Sequence, residues 1–317
     1  MKKNILYIAM ALMSICACQK ENTEDKVNGT PMTFSAVIAG NEQTKASFSD
    51  EEGSALKFSW DADEKISVIS FDSKHQVLAV DTFTSTGEAG RSRADFTGTL
   101  TKVEGVDHLE CFYPELVNNG SNQYMEETTG HHFYWIQKNS QYSQHTSSYC
   151  YRGSSRTEHI GKYAFMAGQF MSVQDIEFVE FHHLKSVVKV NLKTPEALVG
   201  DKWVSIHIEG YNGTSNRNIA GNGWGYSSFL YGDPLVTGGG PTNRISLYHS
   251  SGVDIDSSRT ITEYIVAKLT NVSAGNTLRI TVNTLNGKTL KTDLNMAYDV
   301  NFQTGVMYTI NADLALE

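Results

Sequence analysis

Alternation of apolar and polar positions with period two runs through most of the chain. The longest instance is near the C-terminus. There Val306, Tyr308, Ile310, Ala312, Leu314 and Leu316 alternate with Met307, Thr309, Asn311, Asp313 and Ala315. Successive side chains of a strand point to opposite faces, so this pattern predicts a strand over 306–316 with one face buried. Val188, Val190 and Leu192 alternate with Lys189, Asn191 and Lys193 in the same way. Further strands are predicted over 32–38, 56–60, 66–71, 77–83, 93–96, 109–113, 163–166, 178–193, 203–209, 244–249, 259–269 and 277–283. Residues 194–200 fit one short helical turn, with Thr194 as cap, Pro195 at the first position and Gly200 behind the end. Many short strands with little helix between them predict an all-β fold of antiparallel β-sandwiches.

The first residues follow a different pattern. Lys2 and Lys3 precede a mostly apolar run over 5–15, which reads as a signal-peptide core too short to span a bilayer. The run ends in Ile15, Cys16, Ala17 and Cys18. A bacterial lipobox has a branched aliphatic residue at −3, a small one at −1 and Cys at +1. Cys18 satisfies this with Ile15 and Ala17, whereas Cys16 has Ile15 at −1. The expectation is a lipoprotein signal peptide over 1–17 and an outer-membrane anchor through lipid on Cys18. Residues 18–30 then form a flexible tether without apolar periodicity.

Composition sharpens this picture. The chain has 317 residues, 40 % of them hydrophobic and 19 % charged, enough apolar mass for about two domains. A formal charge of −9 lacks the basic face that nucleic acid requires, so no nucleic-acid partner is expected. Residues 117–160 are polar and loop-like, and regular alternation returns near 175. The division expected is an N-terminal β-sandwich domain over 31–174 and a C-terminal one over 175–317.

Candidate chemistry is sparse. His131–His132 and His182–His183 are adjacent pairs whose side chains diverge on a strand, and no helical zinc motif is present. Gly238–Gly240 is followed by Pro241, which excludes a phosphate loop, and no nucleophile elbow occurs. No catalytic residue, metal ligand or cofactor is therefore expected, and the chain reads as a non-enzyme. Tyr134, Trp135 and Tyr142, in a loop rich in aromatic residues, are candidate ligand contacts, because aromatic planes stack on sugar faces. Cys111 and Cys150 remain after processing. Cys111 lies in a predicted strand where a small buried residue is expected, and it is read as unpaired.

Several segments together resemble the fimbrillin-like family of Bacteroidetes surface lipoproteins. Met32-Thr33-Phe34-Ser35-Ala36 is followed by Thr44-Lys45-Ala46, then by Phe58-Ser59-Trp60-Asp61-Ala62-Asp63-Glu64-Lys65-Ile66-Ser67-Val68. The last is similar to the family's W-x-x-G-D-x-I-x-V pattern, with Asp63-Glu64 in place of Gly-Asp. Ala94-Asp95-Phe96-Thr97-Gly98, Cys111-Phe112-Tyr113-Pro114, Tyr163-Ala164-Phe165-Met166-Ala167, Phe181-His182-His183-Leu184 and Thr304-Gly305-Val306-Met307-Tyr308 continue the likeness in order. Residues 19–25 resemble the short signal that sends such lipoproteins to the cell surface.

The resemblance implies two tandem transthyretin-like sandwich domains and a place in the fimbrium. It implies other fimbrial subunits as partners through strand exchange, with host or bacterial surface glycans or proteins as adhesion targets. On this reading Phe181 and Leu184 open the core of the second domain. The family's subunits polymerise after a protease removes the first strand. The corresponding strand here is 32–38, and a loop leads from it to Lys45–Ala46. No arginine precedes Arg91, so a cut there needs a lysine-accepting protease. A glycan-binding lipoprotein of a polysaccharide uptake system is the alternative.

Overall fold

A computed structural model describes residues 29–38, 59–74, 77–88, 90–113, 115, 150–152, 156, 160, 166–170, 176–220 and 242–317. It describes the backbone alone of 124–125, 133–135, 149, 221, 225–227, 229–230, 233–234 and 241. In chain order the strands begin with β1 Gly29–Ile38, β2 Lys65–Phe71, β3 Val77–Thr86, β4 Arg93–Thr101 and β5 His108–Tyr113. Three short ones follow, β6 Tyr124–Met125, β7 Phe133–Trp135 and β8 Tyr149–Tyr151, then β9 Met166–Gln169 and β10 Phe178–His183. β11 Ser186–Lys193 leads through a 3-10 turn at Glu196–Leu198 to β12 Lys202–Asn212. Six short strands come next: β13 Ser215–Asn216, β14 Ala220–Gly221, β15 Gly225–Ser227, β16 Phe229–Leu230, β17 Asp233–Pro234 and β18 Pro241–Thr242. Long strands return with β19 Arg244–Asp254, β20 Thr260–Leu269, β21 Thr277–Thr284, β22 Thr289–Asn295 and β23 Met307–Asp313, and β24 Ala315–Leu316 ends the chain.

The fold is all-β, as the alternation predicts. Seven strands close a barrel in the order β1, β10, β9, β5, β2, β3, β4 and back to β1. Closure removes every exposed edge from this sheet. Its interior holds Phe34, Ile66, Phe83, Phe96, Cys111 and Phe181, all at most 2 % exposed. β2 is buried on both faces, because Ile69 and Phe71 point away from that interior and pack with Phe112, Ala167 and Leu184. The second unit is an open sandwich. One sheet runs β18, β14, β20, β11, β23 and the other β24, β22, β21, β12, β19, β8.

Several expectations change. The apolar run over 178–193 is two strands, broken at Leu184 and Lys185, where the chain crosses from the barrel to the sandwich. Phe181 and Leu184 therefore complete the barrel instead of opening the second core: Phe181 sits edge-on to Trp60 with ring centroids 5.2 Å apart. The expected division at 174/175 falls between β9 and β10, both strands of that barrel. The C-terminal alternation is also interrupted. β23 lies in one sheet and β24 in the other, with the buried Leu314 at the switch, so Leu316 is left half-exposed at 52 %. Finally, pairing is not purely antiparallel. β1 with β10, β11 with β23 and β19 with β8 are parallel, as long connections permit.

The polar segment between β5 and β9 is tied to the sandwich. β8 adds to the edge of β19, and Cys150 is fully buried there with its thiol directed at the Ser246 carbonyl. Arg152 donates from one nitrogen to both carboxylate oxygens of the buried Glu263, at 2.9 and 3.0 Å. Burial pushes the Glu263 carboxyl up to about 7, against the opposing pull of Arg152. Cys111 lies in the barrel and both cysteines are free thiols, as the strand reading of Cys111 expected.

Gly98, in β4, faces Phe83 across the ladder. A Cβ there would meet the Phe83 ring at 2.7 Å and the Thr82 carbonyl oxygen at 2.8 Å. Gly98→Ala is expected to cost about 1–3 kcal/mol through overpacking, read by urea denaturation. An unchanged midpoint would show that the ring moves aside freely.

Candidate functional site

The first strand is the part of this structure with functional geometry. The spacing of Met32, Phe34, Ala36 and Ile38 sends these side chains to one face, and that face is the barrel interior. Phe34, Ala36 and Ile38 are at most 2 % exposed, and Met32 packs on the same core. Phe34 meets Phe170 edge-on at 4.9 Å, tilts against Phe83 at 5.2 Å and stacks with Phe96 at 6.1 Å. Rings in such arrangements add to the burial energy of each side chain.

Backbone pairing holds the strand unevenly. β1 pairs antiparallel with β4 over Gly29–Val37, but parallel with β10 only over Ser35–Ile38. Its first half thus has one ladder and its second half has two. Pro31, which has no amide proton to donate, falls in the one-sided stretch, where a strand tolerates it.

Polar groups pin the register. The Ser35 hydroxyl donates to the Asp95 carboxylate and accepts from the Arg93 guanidinium at 2.9 Å. The hydroxyls of Thr33 and Thr97 pair at 3.0 Å. A slip of one residue would turn Ser35 into the core and Phe34 out of it, so the register is strongly specified.

Trp60 closes the inner side. It is 1 % exposed, and its indole nitrogen donates to the Ala36 carbonyl at 3.2 Å. Its ring sits edge-on to Phe96, Tyr113 and Phe181 at 5.0–5.4 Å. The turn after it holds Asp63 at φ +60°, the left-handed region that favours glycine, where the resembled pattern has glycine. Glu64 ends this turn. Its amide donates to the Ser85 hydroxyl at 2.9 Å, and its carboxylate accepts from the Tyr113 hydroxyl at 2.8 Å. Burial pushes the Glu64 carboxyl up to about 7, with the Tyr113 hydrogen bond opposing.

The other residues singled out by sequence stand apart from this groove. Cys18, Lys45, Ala46 and Tyr142 lie outside the described residues. Tyr134 and Trp135 belong to β7, with their backbones opposite Tyr226 and Gly225 of β15. They are strand residues tied to the second half of the chain, not tips of a free loop. His183 is buried and paired in register with Met166, and burial lowers its pKa to about 3, so it is neutral. Among the described residues no three His, Cys, Asp or Glu side chains are grouped so as to hold a metal ion. Sequence reasoning missed the parts of the groove supplied by Phe170 and by Ser35 with Arg93 and Asp95. The cross-strand partners could not be paired before the register was known.

No family model matches the chain, and no curated protein matches it. Among solved structures it is similar to a candidate cell adhesion protein of Bacteroides ovatus. The identity is 12 %, the TM-score 0.47, and the match covers 91 % of this chain and 96 % of the other. A candidate cell adhesion protein of Bacteroides uniformis has 16 % identity and a TM-score of 0.40, over 90 % of this chain and 95 % of the other. The tip fimbrial protein Mfa3 of Porphyromonas gingivalis has 13 % identity and a TM-score of 0.30, over 87 % and 82 %. These structural neighbours are thus adhesion and fimbrial proteins; at such scores the likeness assigns no role to any residue here.

Glu64 gives a pH test of the turn that backs the groove. Its folded pKa lies above its ordinary value of 4.5, so the native state holds the proton more tightly. The stability this contributes is fully present below about pH 4.5 and is lost as the pH rises to about 7. Glu64→Gln keeps an acceptor for Tyr113 and removes the charge. The variant is expected to exceed the wild type by about 1–2 kcal/mol at pH 8, relative to their difference at pH 4, in urea denaturation. An equal difference at both pH values would refute the assignment.

Proposed function

We propose that this chain is a fimbrial subunit or fimbria-associated adhesin, exported as an outer-membrane lipoprotein through Cys18 and assembled by donor-strand exchange. The observation that carries the reading is the seat of β1. It is the first described strand, its apolar face is wholly inside a barrel, and removing it opens a continuous groove. That groove runs along Phe83, Phe96, Phe170 and Trp60 between the unpaired edges of β4 and β10. Such an edge recovers its ladder and refills its pockets when a new strand enters.

β23 has the properties of a donor. It stands at the edge of its sheet, paired only with β11 among the described residues. No residue over 307–313 is fully buried, and Met307 to Ala312 carry no charge. Tyr308, Ile310 and Ala312 repeat the spacing of Phe34, Ala36 and Ile38. Exchange starts most readily at the first half of β1, where only the β4 ladder must be matched. Cleavage after Lys45 releases the lipid together with β1 and converts an anchored precursor into a polymerising subunit.

N-terminal sequencing of material sheared from cells tests this. A start at Ala46 is the expected result; protein recovered only with Cys18 attached overturns the subunit reading. A second measurement uses protein cut after Lys45 and freed of β1. A peptide of residues 306–317 is expected to raise its melting temperature, and a peptide with Tyr308 and Ile310 both changed to Asp is not. Equal effects of the two peptides would exclude β23 as donor.

A further inference from the structure

The sandwich is not filled. A cavity of about 400 Å³ lies between its two sheets. Its inner wall includes Val188 of β11, Ile208 of β12 and Ile245 of β19, each at most 3 % exposed. Domain interiors are normally packed without voids larger than a water molecule, whereas small-molecule pockets begin at roughly 300 Å³. The topology explains the space. β23 ends one sheet, and in the other only the two-residue β24 lies beyond β22.

The chemistry of the lining is graded. No charged side chain contributes to it. Among the described residues its side-chain hydrogen-bonding groups are the hydroxyls of Tyr298, on the connection after β22, and Tyr308, on the edge strand β23. Thr309 and Asn311 border it through their backbone, their side chains alternating to the outer face of β23, where Asn311 accepts from Asn191 at 2.8 Å. Tyr298 is 71 % exposed, and Phe302 stands edge-on to Tyr308 at 4.6 Å. An apolar cavity of this kind holds water poorly and takes apolar guests. A deep apolar bore with an uncharged hydrogen-bonding rim fits one alkyl chain bearing a small polar head. An added β-strand fits less well, because it would lie along β23 and leave the depth beside Ile208 and Ile245 empty.

We propose that this cavity is a binding site for a single-chain amphiphile, a fatty acid or monoacyl lipid, with its tail between the sheets and its head at the hydroxyls of Tyr298 and Tyr308. The site lies apart from the β1 groove but shares Tyr308 and Ile310 with β23, so it is present only while β23 stays seated on β11.

The test uses the chain from residue 19 onward, which retains every described residue, and cis-parinaric acid as the fluorescent probe. Saturable binding at one site per chain, displaced by palmitate and by monopalmitoylglycerol, is the expected result. Val188→Phe fills the bore and is expected to weaken binding at least tenfold while the melting temperature is kept or raised. Leu294→Phe, nearer the mouth, serves the same purpose if the first variant fails to fold. Absence of saturable binding overturns the proposal. So does binding that both filled variants leave unchanged, or binding only to diacyl vesicles. Displacement of the probe by a peptide of residues 29–38 but not by palmitate would make the occupant a strand, and would equally overturn it.

Discussion

The constraint on which the barrel depends is burial of one strand's apolar face by residues that come from everywhere else in the unit. Phe34, Ala36 and Ile38 are covered by Phe83 of β3, Phe96 of β4, Phe170 after β9 and Phe181 of β10, with Trp60 hydrogen-bonded to the strand's own backbone. Burial of one large aromatic side chain contributes on the order of 2–3 kcal/mol. The strand is thus a principal source of the barrel's stability, although over its first half the β4 ladder alone holds its backbone.

The two units answer the same problem differently. In the barrel, β9 and β10 join the two sides of the sheet and leave no edge. In the sandwich, the last strand switches sheets at Leu314 after seven residues, and a cavity stays open between the sheets. Open edges attract other strands, and proteins commonly blunt them with short length, lysine or proline. The edges at β8, β18 and β24 are two or three residues long. β23, seven residues long and without lysine or proline, has none of these devices.

The units are coupled through a few polar groups. At the crossing between β10 and β11, the Ser186 hydroxyl donates to the Gln303 carbonyl at 2.7 Å and the Gly305 amide donates to Lys185 at 3.0 Å. The approach to β23 is therefore fastened to the point where the chain leaves the barrel. Burial pushes the Lys185 amine down to about 7, a sign of how little water reaches this crossing. The Arg152–Glu263 pair does similar work for the inserted segment. Such pairs cost more in desolvation than surface ones, and losing either partner leaves a buried charge.

Local alternation in the chain determined that the fold is all-β and which residues of the first strand face inward. These are properties of one strand at a time, set by the period-two geometry of extended backbone. The short turn at 196–198 was legible from Pro195 and Gly200, but its cap was not: Pro195, not Thr194, stands at the N-cap without a side-chain bond, and the Thr194 hydroxyl donates to the Arg259 carbonyl instead. Only the tertiary structure decided which strands pair. The run over 178–193 carries no turn signal at its break, because neither Leu184 nor Lys185 is a turn-forming residue, yet both lie between β10 and β11. Phe181 was recognisable as buried, yet its core was not, since burial is local and the choice of core depends on segments a hundred residues away. The C-terminal alternation likewise promised a buried face. The structure leaves that face half-covered, because the partner sheet stops short of it, and so created an open edge and a cavity that no single strand's pattern encodes.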